Sequence, residues 1–474
     1  MKIKIKRLIF SLPILALLSH SAMALNIPID KDDAFRNDDS IKVFYSGTAD
    51  QYRIPSIAKL DGNEIALFAE RRYIELAFHD FKAQNLILRR LNRNNGQLSD
   101  TIMVQRQQDS VPQFGSAFRH NLMNPTSAYD EKSNKLHLFY NRIITLGSSD
   151  DIQRVEVLHT YSLDSGNTWS TPVDITAQVS NPCETVTVGP GRAIIVPDGE
   201  PNAGRIIIPM HTIKYADGAS LPTKYQPECS AENRVAKGAF KVAFKDTAGD
   251  WTPSNLVTTG SSEGLIGEPQ IIYTNGVTYL FSRLLGNYEY DGSGLAYSLD
   301  QGETWQAGFN EYGPMKGSEV TPFTGRFYTP TQPGLATDGR FIYYTTSVHY
   351  GSDESISNRR EGWTHRIDPE EMLDYDTSPV NIVQPISKTG FSNSSTIYLG
   401  DNRIGVIWEE VQTKHAIKRI KELFYTELDT RDFRPILDPD WVDNGFEYHP
   451  TWNGSHHLLN SEILEGDKRE NWNP

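Results

Sequence analysis

The feature that most restricts this chain is an eight-residue block that occurs twice. Ser162-Leu163-Asp164-Ser165-Gly166-Asn167-Thr168-Trp169 returns as Ser298-Leu299-Asp300-Gln301-Gly302-Glu303-Thr304-Trp305, differing only at the fourth and sixth residues. The chemistry is that of a hairpin turn. The Asp side chain can accept from backbone amides inside the turn, Gly permits a positive φ, and Trp staples the turn onto the sheet. Two looser copies share the outline: Phe244-Lys245-Asp246 leading to Gly249 and Trp251, and Arg90-Leu91-Asn92-Arg93-Asn94-Asn95-Gly96. A turn unit recurring at intervals of tens of residues specifies an array of similar small sheets, so Asp164 and Asp300 are read as structural and not catalytic.

The segments between the copies agree. Short apolar runs bounded by Gly, Asn, Asp and Pro recur at Ile65 to Phe68, Leu86 to Leu88, Leu136 to Tyr140, Arg205 to Pro209, Gln270 to Tyr273, Phe341 to Thr345 and Ile404 to Trp408. Capped segments of helical period are rare. The expectation is an all-β chain whose four-stranded blades surround a central axis, with loops converging on one face. No linker is evident before residue 430, so residues 25–429 are expected to form one closed unit and residues 430–474 an extension of unassigned role that could pack on it.

Residues 1–24 have the order of an export leader: Lys2, Lys4, Lys6 and Arg7, an apolar stretch from Leu8 to Leu18, then Ser21-Ala22-Met23-Ala24. The apolar stretch is short for a membrane span, and nothing later resembles one. An exported protein, periplasmic or secreted, is expected, with no membrane insertion. The formal net charge is −14; cleavage after Ala24 would remove four cations and no acid, leaving about −18. Such a field repels nucleic acid, so an anionic ligand would need a local cationic pocket. Cys183 and Cys229 could pair in an oxidising compartment if their geometry allowed, or could stay free. The scattered histidines offer no metal-ligand spacing. Neither cofactor nor metal is implied, and the acidic stretch Asp30 to Asp39 reads as solvated charge. The oligomeric state is left open.

A second set of residues carries chemistry. In order these are Tyr52-Arg53-Ile54-Pro55-Ser56, Ala66-Leu67-Phe68-Ala69-Glu70-Arg71-Arg72, His79-Asp80, and Leu86-Ile87-Leu88-Arg89-Arg90. Met123-Asn124-Pro125, Val188-Gly189-Pro190-Gly191, Gly267-Glu268-Pro269-Gln270-Ile271-Ile272 and Phe281-Ser282-Arg283 follow. Together with the repeated turn, which is similar to the Asp box, this order resembles the exo-α-sialidase family and spans most of the chain after the leader. The resemblance implies a six-bladed β-propeller of sialidase type and an exo-glycoside hydrolase that releases sialic acid or a related nonulosonic acid from glycans. It gives Arg53, Arg283 and Arg359 the sugar carboxylate, with Arg360 open as an alternative to Arg359, and it places Arg72 nearby. Asp80 becomes the acid/base, Glu268 the buried catalytic acid, and Glu409 or Glu410 the acid that holds Arg53.

Those residue types suit such a sugar. Three guanidinium groups can hold a carboxylate on the anomeric carbon through paired, charge-assisted hydrogen bonds. That carboxylate repels an anionic nucleophile, which is why the family uses a Tyr hydroxyl activated by Glu where most glycosidases use a carboxylate. Here the sequence departs from the family. The corresponding stretch is Lys388-Thr389-Gly390-Phe391-Ser392-Asn393-Ser394-Ser395, which puts Phe391, or Asn393 after a shift of two, at the Tyr position. Three readings stay open: a Tyr such as Tyr398 or Tyr375 reaches the site from another register, water attacks directly with Glu268 as base, or the chain binds acidic glycans without cleaving them. A propeller acting on neutral polysaccharide would instead show aromatic platforms and paired carboxylates.

Overall fold

A computed structural model describes residues 40–45, 50–73, 83–107, 118–146, 152–180, 184–212, 239–257, 265–285, 293–307, 331–348, 361–369, 382–387, 390–412 and 419–435, with short pieces at 309–310, 313–314 and 321–323. These residues form six sheets of four or five strands arranged as a propeller. In each blade consecutive strands pair antiparallel outward from the axis, as short apolar runs joined by tight turns require.

The first blade contains Asp50–Lys59, Glu64–Tyr73 and Ala83–Asn92, with Gln97–Leu98 and Ile102–Arg106 both paired to its third strand. The second contains Phe118–Asp130, Lys135–Leu146, Ile152–Ser162 and Val173–Asp174. Val186–Val188, Ile206–Thr212, Phe240–Lys245 and Thr252–Pro253 build the third. Leu265–Thr274, Val277–Leu285, Ser293–Ser298 and Gln306–Ala307 build the fourth. The fifth runs Gly334–Thr337, Ile342–Val348, Glu361–Ile367 and Ile382–Ser387, with Arg434–Pro435 added at its outer edge.

Ser394–Gly400, Arg403–Gln412 and Arg419–Asp429 form the sixth blade, whose outermost strand is Ile41–Tyr45 from the other end of the chain. The ring is thus closed by backbone pairing between distant segments, and a bidentate ion pair from Arg93 to Glu427, at 2.8 and 3.0 Å, bolts the first blade to the sixth.

Both faces of a blade are apolar because each is covered by a neighbour. The core is divided into six clusters, one per seam. Phe68 joins Leu136 and Leu138 between blades one and two, and Phe139 joins Val188 and Ile208 between two and three. Ile207 meets Ile271 and Leu280, Phe281 meets Leu335 and Ile342, and Tyr343 meets Ile404 and Val406. Ile407 closes the circuit against Ile57 and Leu67 of the first blade.

The two repeated turns are built alike. The Asp164 carboxylate accepts from Thr168 N (2.8 Å), Thr168 Oγ1 (2.7 Å) and Ser162 Oγ (2.7 Å), while Gly166 N donates to Ser162 Oγ. Asp300 accepts from Thr304 N (2.8 Å), Thr304 Oγ1 and Ser298 Oγ (2.8 Å). The Trp packs with apolar residues of its own blade and also reaches beyond it. Its indole N–H is tied to the turn glycine, and its ring crosses the seam: Trp169 meets Phe68 of the first blade, and Trp305 meets Phe240 of the third. A Cβ on Gly166 would stand 2.3 Å from Leu88 of the preceding blade, so glycine is required by packing as well as by its positive φ of 91°. Of the looser copies, Asp246 binds Arg205 across its own blade, and the Asn92 turn carries no Trp.

Candidate active site

The innermost strands share a distortion. Ile54, Asn124 and Glu268 all have positive φ (53°, 56° and 47°), all precede Pro, and all sit at register shifts in their ladders. Gly189 before Pro190 has φ 42°. For a β-branched residue such as Ile54 this backbone costs about 1–3 kcal/mol, and it persists only where neighbours enforce it. Such bulges re-aim the side chains beside them.

Below the bulges the inner strands are tied across the axis. Ser56 Oγ bonds Ser127 Oγ (2.7 Å) and Gly191 O (2.5 Å), Gln332 Nε2 donates to Pro55 O (3.2 Å) and Ser394 O (2.8 Å), and Gln270 Nε2 donates to Pro190 O. Arg192 spans from the third blade to the carbonyls of Leu335 (3.3 Å) and Thr396 (3.1 Å), and burial lowers its pKa to about 10. Gly191-Arg192 pairs parallel with Thr126-Ser127, so neighbouring inner segments run the same way. Arg53 and Glu268, three and two residues before Ser56 and Gln270, therefore lie on the same side of this floor.

One position recurs in all six blades. On each second strand, two residues beyond the apolar side chain that faces the following blade, stand Glu70, Asn141, Pro209, Arg283, Thr345 and Glu409, counted from the first blade to the sixth. Side chains alternate along a strand, so each of these is also turned toward the next blade. Glu409 Oε1 accepts from Ile54 N at 2.6 Å and lies 3.6 Å from Arg53 Nε, and Asn393 Nδ2 reaches it at 3.2 Å. Glu70 Oε1 accepts from Asn124 N at 2.7 Å, and its Oε2 accepts from Arg72 Nε at 2.8 Å. In the second blade Asn141 Oδ1 accepts from Val188 N at 3.0 Å. The carboxylates thus hold the bulges of the blade ahead.

Arg283, at this position in the fourth blade, donates through Nη1 to Glu268 Oε2 at 3.3 Å. That pair is open to solvent, with side-chain exposures of 24% and 21%, so Glu268 is not the buried acid that the resemblance implies: its bulge turns it to the open side of the floor. Arg53 is 9% exposed, while Glu70, Arg72 and Glu409 are fully buried. Burial pushes the Glu70 carboxyl up, and Arg72 and the Asn124 amide pull it back in part. Glu410, the alternative to Glu409, is also buried, and its backbone pairs with Glu422.

Phe391 is fully buried. Its ring stacks on Trp408 at 5.3 Å and fills the space over Gly362, so it serves the core between the fifth and sixth blades. Asn393 points the other way, to Glu409 and to Gln332 N at 3.0 Å. The structure rules out Tyr398. It pairs with Ile404, five residues along the strand from Glu409, which puts it about 17 Å from that carboxylate's level at a strand's rise per residue. Asp80, Arg359, Arg360, Tyr375, Cys183 and Cys229 lie outside the described residues.

No family model matches the chain. In sequence it is similar to Sialidase-2 of Cricetulus griseus, 26% identical over 267 residues covering 53% of this chain and 63% of that protein. It is 26% identical to Sialidase-2 of Mus musculus over 51% of this chain and 62% of that protein. The matches therefore span less than two thirds of the relatives' own length. Among solved structures, the intramolecular trans-sialidase from Ruminococcus gnavus in complex with oseltamivir carboxylate superposes over 83% of this chain and 98% of that one, with a TM-score of 0.58 at 16% identity. The Hadza microbial sialidase Hz136 gives 0.58 at 14% identity over 83% of this chain and 69% of that one.

The chain is a sialidase-like six-bladed β-propeller.

In this sialidase-like propeller the sequence reading singled out Arg53, Arg72, Glu268, Arg283 and Glu409, and all five flank bulged inner strands on one side of the floor. It assigned no role to Glu70, Asn124, Gln332 or Arg192. The Pro after these turns was a usable signal, since Ile54-Pro55, Asn124-Pro125, Gly189-Pro190 and Glu268-Pro269 recur once in each of the first four blades. Among the described residues no group of three or more His, Cys, Asp or Glu could hold a metal ion, and no helix is long and apolar enough to cross a membrane.

Proposed function

We propose that this propeller is an exo-glycoside hydrolase that releases terminal sialic acid or a related nonulosonic acid from glycans, gripping the sugar by its carboxylate. What carries the reading is the solvent-open Arg283 on the same side of the axial floor as Arg53, each beside a carboxylate that orients it. A carboxylate entering here would bond Arg283 and Arg53 by charge-assisted hydrogen bonds, and the family resemblance offers Arg359, or Arg360, as the third partner. The trans-sialidase in complex with oseltamivir carboxylate gives the fold a precedent for an acidic ligand.

When the incoming carboxylate takes Arg283, the Glu268 carboxylate is released in part from its ion pair with that arginine and is free to face water. Glu268 then acts as general base, withdrawing a proton from water as the water oxygen bonds to the anomeric carbon and the glycosidic bond breaks. Asp80 protonates the departing oxygen. One displacement inverts the anomeric centre. The leader at residues 1–24 would deliver the protein to the periplasm or outside the cell, where such glycans are met.

The burial of Phe391 favours a second reading, a propeller that binds acidic sugars without cleaving them. Incubation with 4-methylumbelliferyl α-ketosides of several nonulosonic acids separates the two. Release of the fluorophore, with the inverted sugar as first product by proton NMR, is expected. Binding of the free sugars without release from any ketoside would leave the non-catalytic reading in its place.

A further inference from the structure

We infer that Glu70 is a positioning residue of the sugar site, which fixes Arg72 and at the same time locks the blade-two wall at Asn124. The inference rests on the proposed acidic-sugar reading. Its geometry repeats that of Glu409: a fully buried carboxylate on a second strand gives one oxygen to the backbone N–H of a positive-φ, pre-proline residue in the following blade, and stands against an arginine at the axial end of the first blade. The first blade is clasped from both sides in this way. Glu409 holds the Arg53-Ile54 bulge from the sixth blade, and Glu70 holds Asn124 in the second.

The second clasp continues past Asn124. Its side chain donates from Nδ2 to Val188 O at 3.2 Å, and Val188 N is held by Asn141, so the Glu70 contact sets a chain through the inner strands of blades one to three. A buried carboxylate against a buried arginine contributes little net stability compared with an apolar pair of the same volume, so the pairing is better explained by orientation than by stability. Arg72 held through both Nε and Nη2 has its guanidinium plane fixed, as recognition of a polar ligand demands.

The test compares Glu70→Gln, which drops the charge, with Glu70→Asp, which keeps the charge and withdraws it by one carbon. Arg93→Met, which breaks the outer latch of the same blade, is the structural control. Titration calorimetry with N-acetylneuraminic acid, thermal midpoints and hydrogen exchange over residues 118–127 are measured for each. For both Glu70 variants the Kd is expected to rise about tenfold, the scale of one displaced charge-assisted hydrogen bond, with faster exchange at 118–127. Arg93→Met should lower the midpoint and leave Kd unchanged. If Glu70→Gln does not fold, Glu70→Asp alone decides. Folded Glu70 variants that bind like the unmodified protein overturn the positioning role and leave the proposed function standing. An unmodified protein that neither binds nor cleaves any acidic sugar overturns both.

Discussion

The outer rim and the axial mouth use the same residue types in opposite ways. At the rim, Asp164 is exposed and satisfied almost entirely within its own turn, and Arg93 and Glu427 are partly solvated. At the mouth, Glu70 and Glu409 are fully buried, and each reaches from its own blade to hold a backbone in the next. Rim charges close turns and bolt seams, whereas mouth charges aim arginines. Changes at the rim should therefore show up in stability, and changes at the mouth in ligand affinity.

The largest effect is expected at the mouth. Arg283→Leu should weaken binding or turnover of an acidic sugar by about 100-fold, since a hydrogen bond to a charged group contributes up to about 3 kcal/mol, with only a small shift in thermal midpoint. Equal affinity in the variant would erase the contrast. At the core beneath, Phe391→Ala should cost about 3–5 kcal/mol in denaturant unfolding, the usual cost of an emptied aromatic site. Phe391→Tyr should leave the first-formed anomer inverted; a switch to retention would show that the ring edge reaches the sugar.

At the rim, Asp164→Ala should cost about 1–2 kcal/mol by stranding the turn amides, with KM unmoved. Stability is also expected to depend on pH. Burial lowers His137 to about 4 and His159 to about 3, the latter also depressed by its neighbour His137, and their rings meet at 2.9 Å. The unfolded chain takes up protons near pH 6.5 that the folded pair refuses, so stability should fall as pH drops from about 6.5 toward 4. His159→Phe should flatten that slope in urea titrations, and an unchanged slope would place the acid sensitivity elsewhere.

The β-blade architecture was legible because its causes are local: Asp, Gly and Thr in a turn, and alternating apolar runs. Arg53, Glu268 and Arg283 could be singled out because each lies in a distinctive string of neighbours. The seam-crossing Trp169 was not, since its partner Phe68 is about a hundred residues away and belongs to another blade. Nor was the clasp position, because Glu70, Asn141, Pro209, Arg283, Thr345 and Glu409 share a place in space and no residue type. Tyr398 looked available in sequence and is excluded only by its register against Ile404.

The most direct measurement is calorimetric titration of the protein with N-acetylneuraminic acid and with its C1 carboxamide, which differ only in the charged group the arginines would clasp. Saturable binding of the acid, at least about 100-fold tighter than that of the amide, is expected for more than one charge-assisted contact. Equal binding of the two would mean that Arg53 and Arg283 do not meet the carboxylate.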